Sequence, residues 1–158
     1  SVSLDSFEAA KKQDYDELKN ITLRDHNINK YSDFCRRILN KRSLSEKTPP
    51  LYHIIEQVEK IGDMYRDLCT YIQENKLKLN NETLNIYEQI NFFLNSFYEA
   101  FYKFNLPNIE EFGQKRNEIK KLIEESLNSK QDKHILFYLN NIFNTIFDLN
   151  GALMTYHI

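Results

Sequence analysis

Glycine and proline are scarce in this chain, with three of each in 158 residues, and tryptophan is absent. So little glycine leaves no material for a glycine-rich phosphate loop or a dinucleotide fingerprint, and neither is present. Cysteine occurs twice, as Cys35 and Cys69, with no zinc spacing and no disulfide framework. Both fall on apolar helical positions and read as buried thiols in a reducing, cytoplasmic compartment. No apolar run approaches the roughly 20 residues of a membrane span, and no signal peptide is visible. The sequons Asn20-Ile21-Thr22 and Asn81-Glu82-Thr83 then read as coincidences. Basic and acidic side chains number 21 and 23 and are dispersed, so no basic stripe for nucleic acid exists. No Ser/His/Asp or Cys/His arrangement offers a nucleophile with its base, and the expectation is a non-enzyme.

What is present is helical periodicity, and no segment alternates as a strand would. Proline and glycine are read as boundary markers between long helices joined by short turns. A first helix covers Val2 to Lys12. A second runs from about Asp14 to Lys41, with apolar residues from Tyr15 to Ile38 at spacings of three and four and Asp25 interrupting that stripe. After a turn at 42–50, with Thr48 as N-cap before Pro49 and Pro50, a third helix covers about 49–75. A fourth follows Asn80-Asn81 to about Asn105, a fifth covers 108–128 and a sixth 132–156. The aromatic series Tyr87, Phe92, Phe93, Phe97, Tyr98, Phe101, Tyr102 and Phe104 is wider than one stripe. It reads mainly as bundle core, with any excess available to a homodimer surface.

The third and sixth helices echo each other. VEKIGDMYRDL at 58–68 aligns without a gap on FNTIFDLNGAL at 143–153. Apolar positions coincide, Asp63 falls on Asp148, Glu59 on Asn144, and Gly62 on Phe147. The shared register suggests two copies of one unit. The expected architecture is therefore all-α, a tandem of three-helix bundles over 1–77 and 78–158, the first lacking part of its first helix.

A hairpin of the second and third helices, turning near residue 44 or 45, puts Asp25 level with Asp63 and Asn29 level with Glu59. Three carboxylates and an amide would then share one patch. Anions so close raise each other's energy at a poorly screened core edge. Either a basic side chain such as Arg24 or Arg66, or a bound cation, would relieve them. An all-oxygen ligand set suits hard metals and iron. In the second half Arg116 is expected opposite Asp148 and Lys120 opposite Asn144, a salt bridge instead of a metal cage. His26, beside Asp25, points about 100° away from it.

Glu59-Lys60-Ile61-Gly62-Asp63 resembles the E-R-I-G-D element of the PhoU family of phosphate-uptake regulators. Asp25-His26-Asn27-Ile28-Asn29 resembles that family's D-x-x-I-D, and Lys12 to Leu18 its acidic and apolar lead-in. The likeness covers about residues 5–75, and 80–157 loosely as a second copy. It implies tandem three-helix bundles with iron or zinc held on the surface by E/D-x-x-x-D pairs. It also implies control of phosphate transport by contact with a transporter or sensor kinase, peripheral to the membrane. Asp25, Glu59 and Asp63 match its ligand positions, whereas Asn29 stands where the family has Asp; in the second half only Asp148 matches. The shortened first helix suggests the C-terminal part of a longer chain. A helical interaction module whose acidic pairs are merely solvated is the rival reading.

Gly62 has an expected task in this scheme, letting the neighbouring helix approach so that Asp25 reaches Glu59 and Asp63. Gly62→Leu should lower bound metal, measured by elemental analysis, before it lowers helix content; unchanged metal content would remove that role.

Overall fold

Short polar side chains set where the helices begin. The computed structural model describes residues 2–24, 48–128 and 130–157. Among them are six α-helices and no strand, so the fold is all-α. Helix α1 spans Val2–Lys11, α2 Tyr15–Leu23, α3 Thr48–Asn75, α4 Asn81–Tyr102, α5 Leu106–Glu125 and α6 Lys133–His157, with a 3-10 turn at Ser126–Asn128 after α5. Asp14 accepts from the Glu17 backbone N–H at 3.0 Å, Asn80 from Thr83 at 2.8 Å and Asn105 from Asn108 at 3.0 Å. Asp132 accepts from the backbone N–H of His134 at 2.8 Å. Each carboxylate or amide thus satisfies a donor that the first helical turn would leave unpaired. Pro49, Pro50 and Pro107 sit in first turns, where no backbone N–H is missed.

Several boundaries differ from the sequence expectation: α4 ends at Tyr102 and not Asn105, and Leu106-Pro107-Asn108, expected as a break, opens α5, which ends at Glu125 and not 128. The second helix ends at Leu23 with Arg24 as its cap, and the remainder of the span expected for it, 25–41, lies outside the described residues. Arg24 closes it with an N–H to the Ile21 carbonyl three residues back, and Thr22 Oγ1 bonds the Lys19 carbonyl at 2.6 Å. Both tighten the last turn at the expense of the i to i−4 ladder, and Leu23 is left 68% exposed. The three glycines lie inside helices that the sequence already places around them, Gly62 in α3, Gly113 in α5 and Gly151 in α6. The turns that would use glycine instead hold Gln13 (φ 56°) and Lys76 (φ 47°) in the left-handed region. The residue after each bonds back five residues, Asp14 to Ala9 at 2.9 Å and Leu77 to Ile72 at 3.1 Å. Those are the bonds of a Schellman stop, made here without its usual glycine.

Helix α3 buries Ile54, Ile61, Tyr65, Leu68, Cys69 and Ile72 along one stripe. Helix α6 buries a wider face, including Ile135, Leu139, Ile142, Ile146, Leu149 and Leu153, and it packs on both α3 and α4. Its contact with α3 is the most extensive among the described helices. Thr145 Oγ1 meets Met64 Sδ at 3.5 Å, and the Tyr71 and Tyr138 rings lie 5.4 Å apart. Seven residues along one helix match seven back along the other, so the pair is antiparallel in constant register. That register sets Gly62 level with Phe147. Helices α1, α2 and α3 touch one another, as do α4, α5 and α6, and α1 also reaches α4. Buried side chains from Phe7 to Leu153 form one contiguous core. Each fully buried Leu or Ile contributes about 1.5–3 kcal/mol relative to exposure.

In the aromatic series, Tyr87, Phe93 and Phe97 are core residues; Tyr98, Phe101 and Phe104 are half-buried; Phe92 and Tyr102 are exposed. A Cβ added at Gly151 would meet nothing within 4 Å. Exchanging the two residue types should therefore stabilise the fold from both ends. Gly151→Ala and Lys76→Gly should each add roughly 1 kcal/mol, moving the thermal midpoint by about 2–4 °C, and their effects should sum. Scanning calorimetry of the single and double variants checks this; a lowered midpoint for Lys76→Gly would contradict the strained stop.

Candidate functional site

The acidic pair expected to hold a metal lies on α3. Glu59 is half-buried and engaged with a partner, whereas Asp63, one turn later, is exposed. The Arg66 guanidinium donates to Asp63 Oδ1 from the next turn of the same helix. Arg24, the other basic candidate, is turned to Glu17 at 2.5 Å. Asp25 and Asn29 lie outside the described residues, as do His26 and Cys35, so their meeting with Glu59 and Asp63 is not described. Among the described residues no three His, Cys, Asp or Glu side chains converge on one point. Gly62 is half-buried between the two carboxylates.

In the second half the expected Arg116–Asp148 salt bridge does not form. Arg116 lays its guanidinium over the Phe147 ring at 4.1 Å, and Asp148 stays exposed, with no ion pair among the described residues. A ring face stabilises a guanidinium by about 0.5–2 kcal/mol, comparable to or better than an exposed ion pair. Phe147 stands where α3 has Gly62, and this aromatic face is what the arginine takes instead of the carboxylate. Helices α5 and α6 touch only slightly, because α5 packs on α4 while α6 packs on α3 and α4. A groove opens between them. Arg116, Lys120, Ile123 and Glu124 line it from α5, and Asn140, Phe143, Asn144 and Phe147 from α6, around a cavity of about 360 Å³. It continues along α5 past Glu110, Gly113 and Asn117. Lys120 and Asn144 do face the same space, as the hairpin register predicts.

A third cluster was invisible to pattern reading. Ser6 of α1 and Tyr87 of α4 share a hydrogen bond at 2.5 Å in the core, and Ser6 Oγ also donates to the Ser3 carbonyl at 3.0 Å. Tyr65 of α3 donates to Asn91 Oδ1 at 2.6 Å, and Asn91 Nδ2 donates to the Ser3 carbonyl at 2.8 Å. Hydroxyls and one amide thereby tie α1, α3 and α4 together. Burial pushes the Cys69 thiol up to about 12, against the opposing hydrogen bond of Ser6. Burial likewise raises Tyr65 and Tyr87 well above the ordinary phenol range. A thiol held protonated in this way is unreactive, which fits a structural role for Cys69. The only sequence signal was Ser6 on the apolar stripe of α1.

Three turns gather at one pole of the molecule. Tyr15 of α2 donates to the Leu77 carbonyl at 3.1 Å, and buried Gln131 accepts from the Asn80 N–H at 2.7 Å. Tyr71 donates to Asp132 Oδ2 at 2.9 Å. Burial and that bond raise Tyr71. Partial burial acts to raise Asp132, but the His134 N–H and the Tyr71 hydroxyl outweigh it and hold the carboxyl below its usual range.

Groups raised in the fold favour their neutral forms there, so their contribution is complete below the unfolded values and fades as pH rises through them. Stability should therefore fall from about pH 9 upward, as unfolded Cys69 and then the tyrosines ionise. Tyrosinate absorbance at 295 nm should show Tyr65 and Tyr87 titrating only with loss of helix. Free titration of all ten tyrosines in folded protein would contradict the burial. Compared with protein-family models, with curated proteins and with solved structures, the chain finds no match.

Proposed function

We propose that this chain is a PhoU-like accessory regulator of phosphate uptake and phosphate signalling, working by protein contact and not by catalysis. Its partners on this reading are a phosphate transporter or the associated sensor kinase, and a second copy of itself. The observation that carries the reading is the α3–α6 seam. The two segments that echo each other in sequence, 58–68 and 143–153, lie antiparallel and level, with Gly62 against the height of Phe147. Like segments packed this way generate a local two-fold relation, which is what two copies of one helical unit produce on pairing. The contacts of α1 with α2 and α3, repeated by α4 with α5 and α6, support the same division at 1–77 and 78–158. The burial of Cys69, Tyr65 and Tyr87 supports a non-catalytic role, since these nucleophiles reach no surface.

The metal belongs to this proposal through Asp25, Asn29, Glu59 and Asp63. Iron or zinc held there would neutralise the carboxylates and brace α3 against the chain that precedes it. Arg66 on Asp63 favours the second reading, an interaction module whose acidic pairs need no metal.

Elemental analysis of protein purified without chelator separates the two. A metal-bearing regulator should carry near-stoichiometric iron or zinc that Asp63→Ala loses; sub-stoichiometric metal in both proteins leaves the metal-free module. Disrupting the gene should alter phosphate uptake under starvation, and an unchanged response would remove the phosphate role.

A further inference from the structure

The groove between α5 and α6 combines three features. Arg116 and Lys120 are one helical turn apart on α5, and among the described residues neither makes an ion pair. Asn140 and Asn144 are one turn apart on α6 and face them across the same space. Phe147 forms part of the floor, and its ring holds the Arg116 guanidinium at 4.1 Å. Phe143, beside it, is buried. Stacking fixes one face of the guanidinium and leaves its N–H edge free to donate, so little further entropy is lost when an anion arrives.

Spacing decides what such a groove fits. Residues four apart on a helix repeat every ~6 Å along its axis. Alternate residues of an extended chain repeat every ~6.6–6.8 Å. A side-chain amide carries both a donor and an acceptor, so it can bond the C=O and N–H of one extended residue together. Two asparagines at this spacing can grip alternate residues of an extended backbone, while the two cations opposite meet alternate side chains. Glu124 lines one end of the groove and Glu110 the other, so acidic groups are welcome in the middle and repelled at the ends.

We infer that the α5–α6 groove binds an extended, acidic peptide segment of a partner protein, with two carboxylate side chains at alternate positions lying between Arg116 and Lys120. The inference rests on the protein-contact part of the function proposed above and is independent of the metal and of phosphate control. Chain polarity, and the rest of the partner, are left to its other contacts.

The test uses a fluorescein-labelled nine-residue peptide with glutamate at alternate positions and serine between, followed by anisotropy. Saturable binding should weaken about tenfold when the glutamates become glutamines, and by a similar factor in Arg116→Gln or Lys120→Gln. Asn144→Ala should weaken binding several-fold without changing its salt dependence, because the amide contacts backbone and not charge. The glutamine peptide tests the charge requirement on wild-type protein even if a groove variant fails to fold. Equal affinity for the glutamate and glutamine peptides would overturn the inference. So would inorganic phosphate displacing the peptide while Asn144→Ala binds normally, which would leave an anion site only. Tighter binding of a single-stranded RNA of equal length would also overturn it. Loss of metal or phosphate control in the experiments above leaves these outcomes unaffected.

Discussion

The packing of α6 against α3 is the constraint on which the other helices depend. Both helices are central: α3 also meets α1 and α2, and α6 also meets α4. A helix with two neighbours needs an apolar face wider than a single stripe, and α6 supplies one, with buried side chains at adjacent positions such as Ile142 and Phe143. Helix α5 has one principal neighbour and buries only Phe112 and Ile119 within its length. The difference explains why α5 stands away from α6. Apolar surface on α6 is already committed to α3 and α4, so the side toward α5 is free to carry asparagines and a lone arginine-stacked phenylalanine.

Hydroxyl groups then select one arrangement of α1. Its apolar contribution is small, Phe7 with Ala9 and Ala10, and such a face could slide along α3 and α4 at little cost. The bonds from Ser3 and Ser6 to Asn91 and Tyr87 have one register only. A slip of one residue would leave buried phenol and amide groups without partners, at about 1–3 kcal/mol each. Oily contacts thus supply adhesion and the polar ones supply position.

Much of this was legible in the chain, for reasons that can be traced. Helices α3 to α6 were readable because their long apolar periods are interrupted near Asn80, Asn105 and Asp132, whose side chains each cap the helix that follows. The end of α2 at Leu23 was not, since nothing marks it in the stripe; the stop comes from Thr22 and Arg24 bonding backward. Left-handed stops at Gln13 and Lys76 escaped notice because the expected residue there is glycine. At the site, Glu59 and Asp63 were correctly placed one turn apart, but periodicity has no access to which cation reaches a carboxylate first. Arg66 takes Asp63 from its own helix, and Arg116 prefers a ring to Asp148. The groove was unreadable for a further reason: the distance between two helices depends on what each packs against elsewhere.

The gathering of three turns at one pole has a mechanical consequence. Leu77, Asn80, Gln131 and Asp132 fasten the ends of successive helices together there. Helix α6 runs away from that pole for 25 residues, about 37 Å at 1.5 Å per residue. Along that length its buried face, from Ile135 to Leu153, lies against α3 and α4, and His157 Nε2 meets the Phe101 carbonyl at 3.0 Å, so the helix is held at both ends. Phe101, Phe104, Tyr156 and His157 meet at its far end, Phe104 and His157 stacked at 4.2 Å. A disturbance at either end must therefore be absorbed by the whole seam, because a close-packed core transmits strain and does not yield locally.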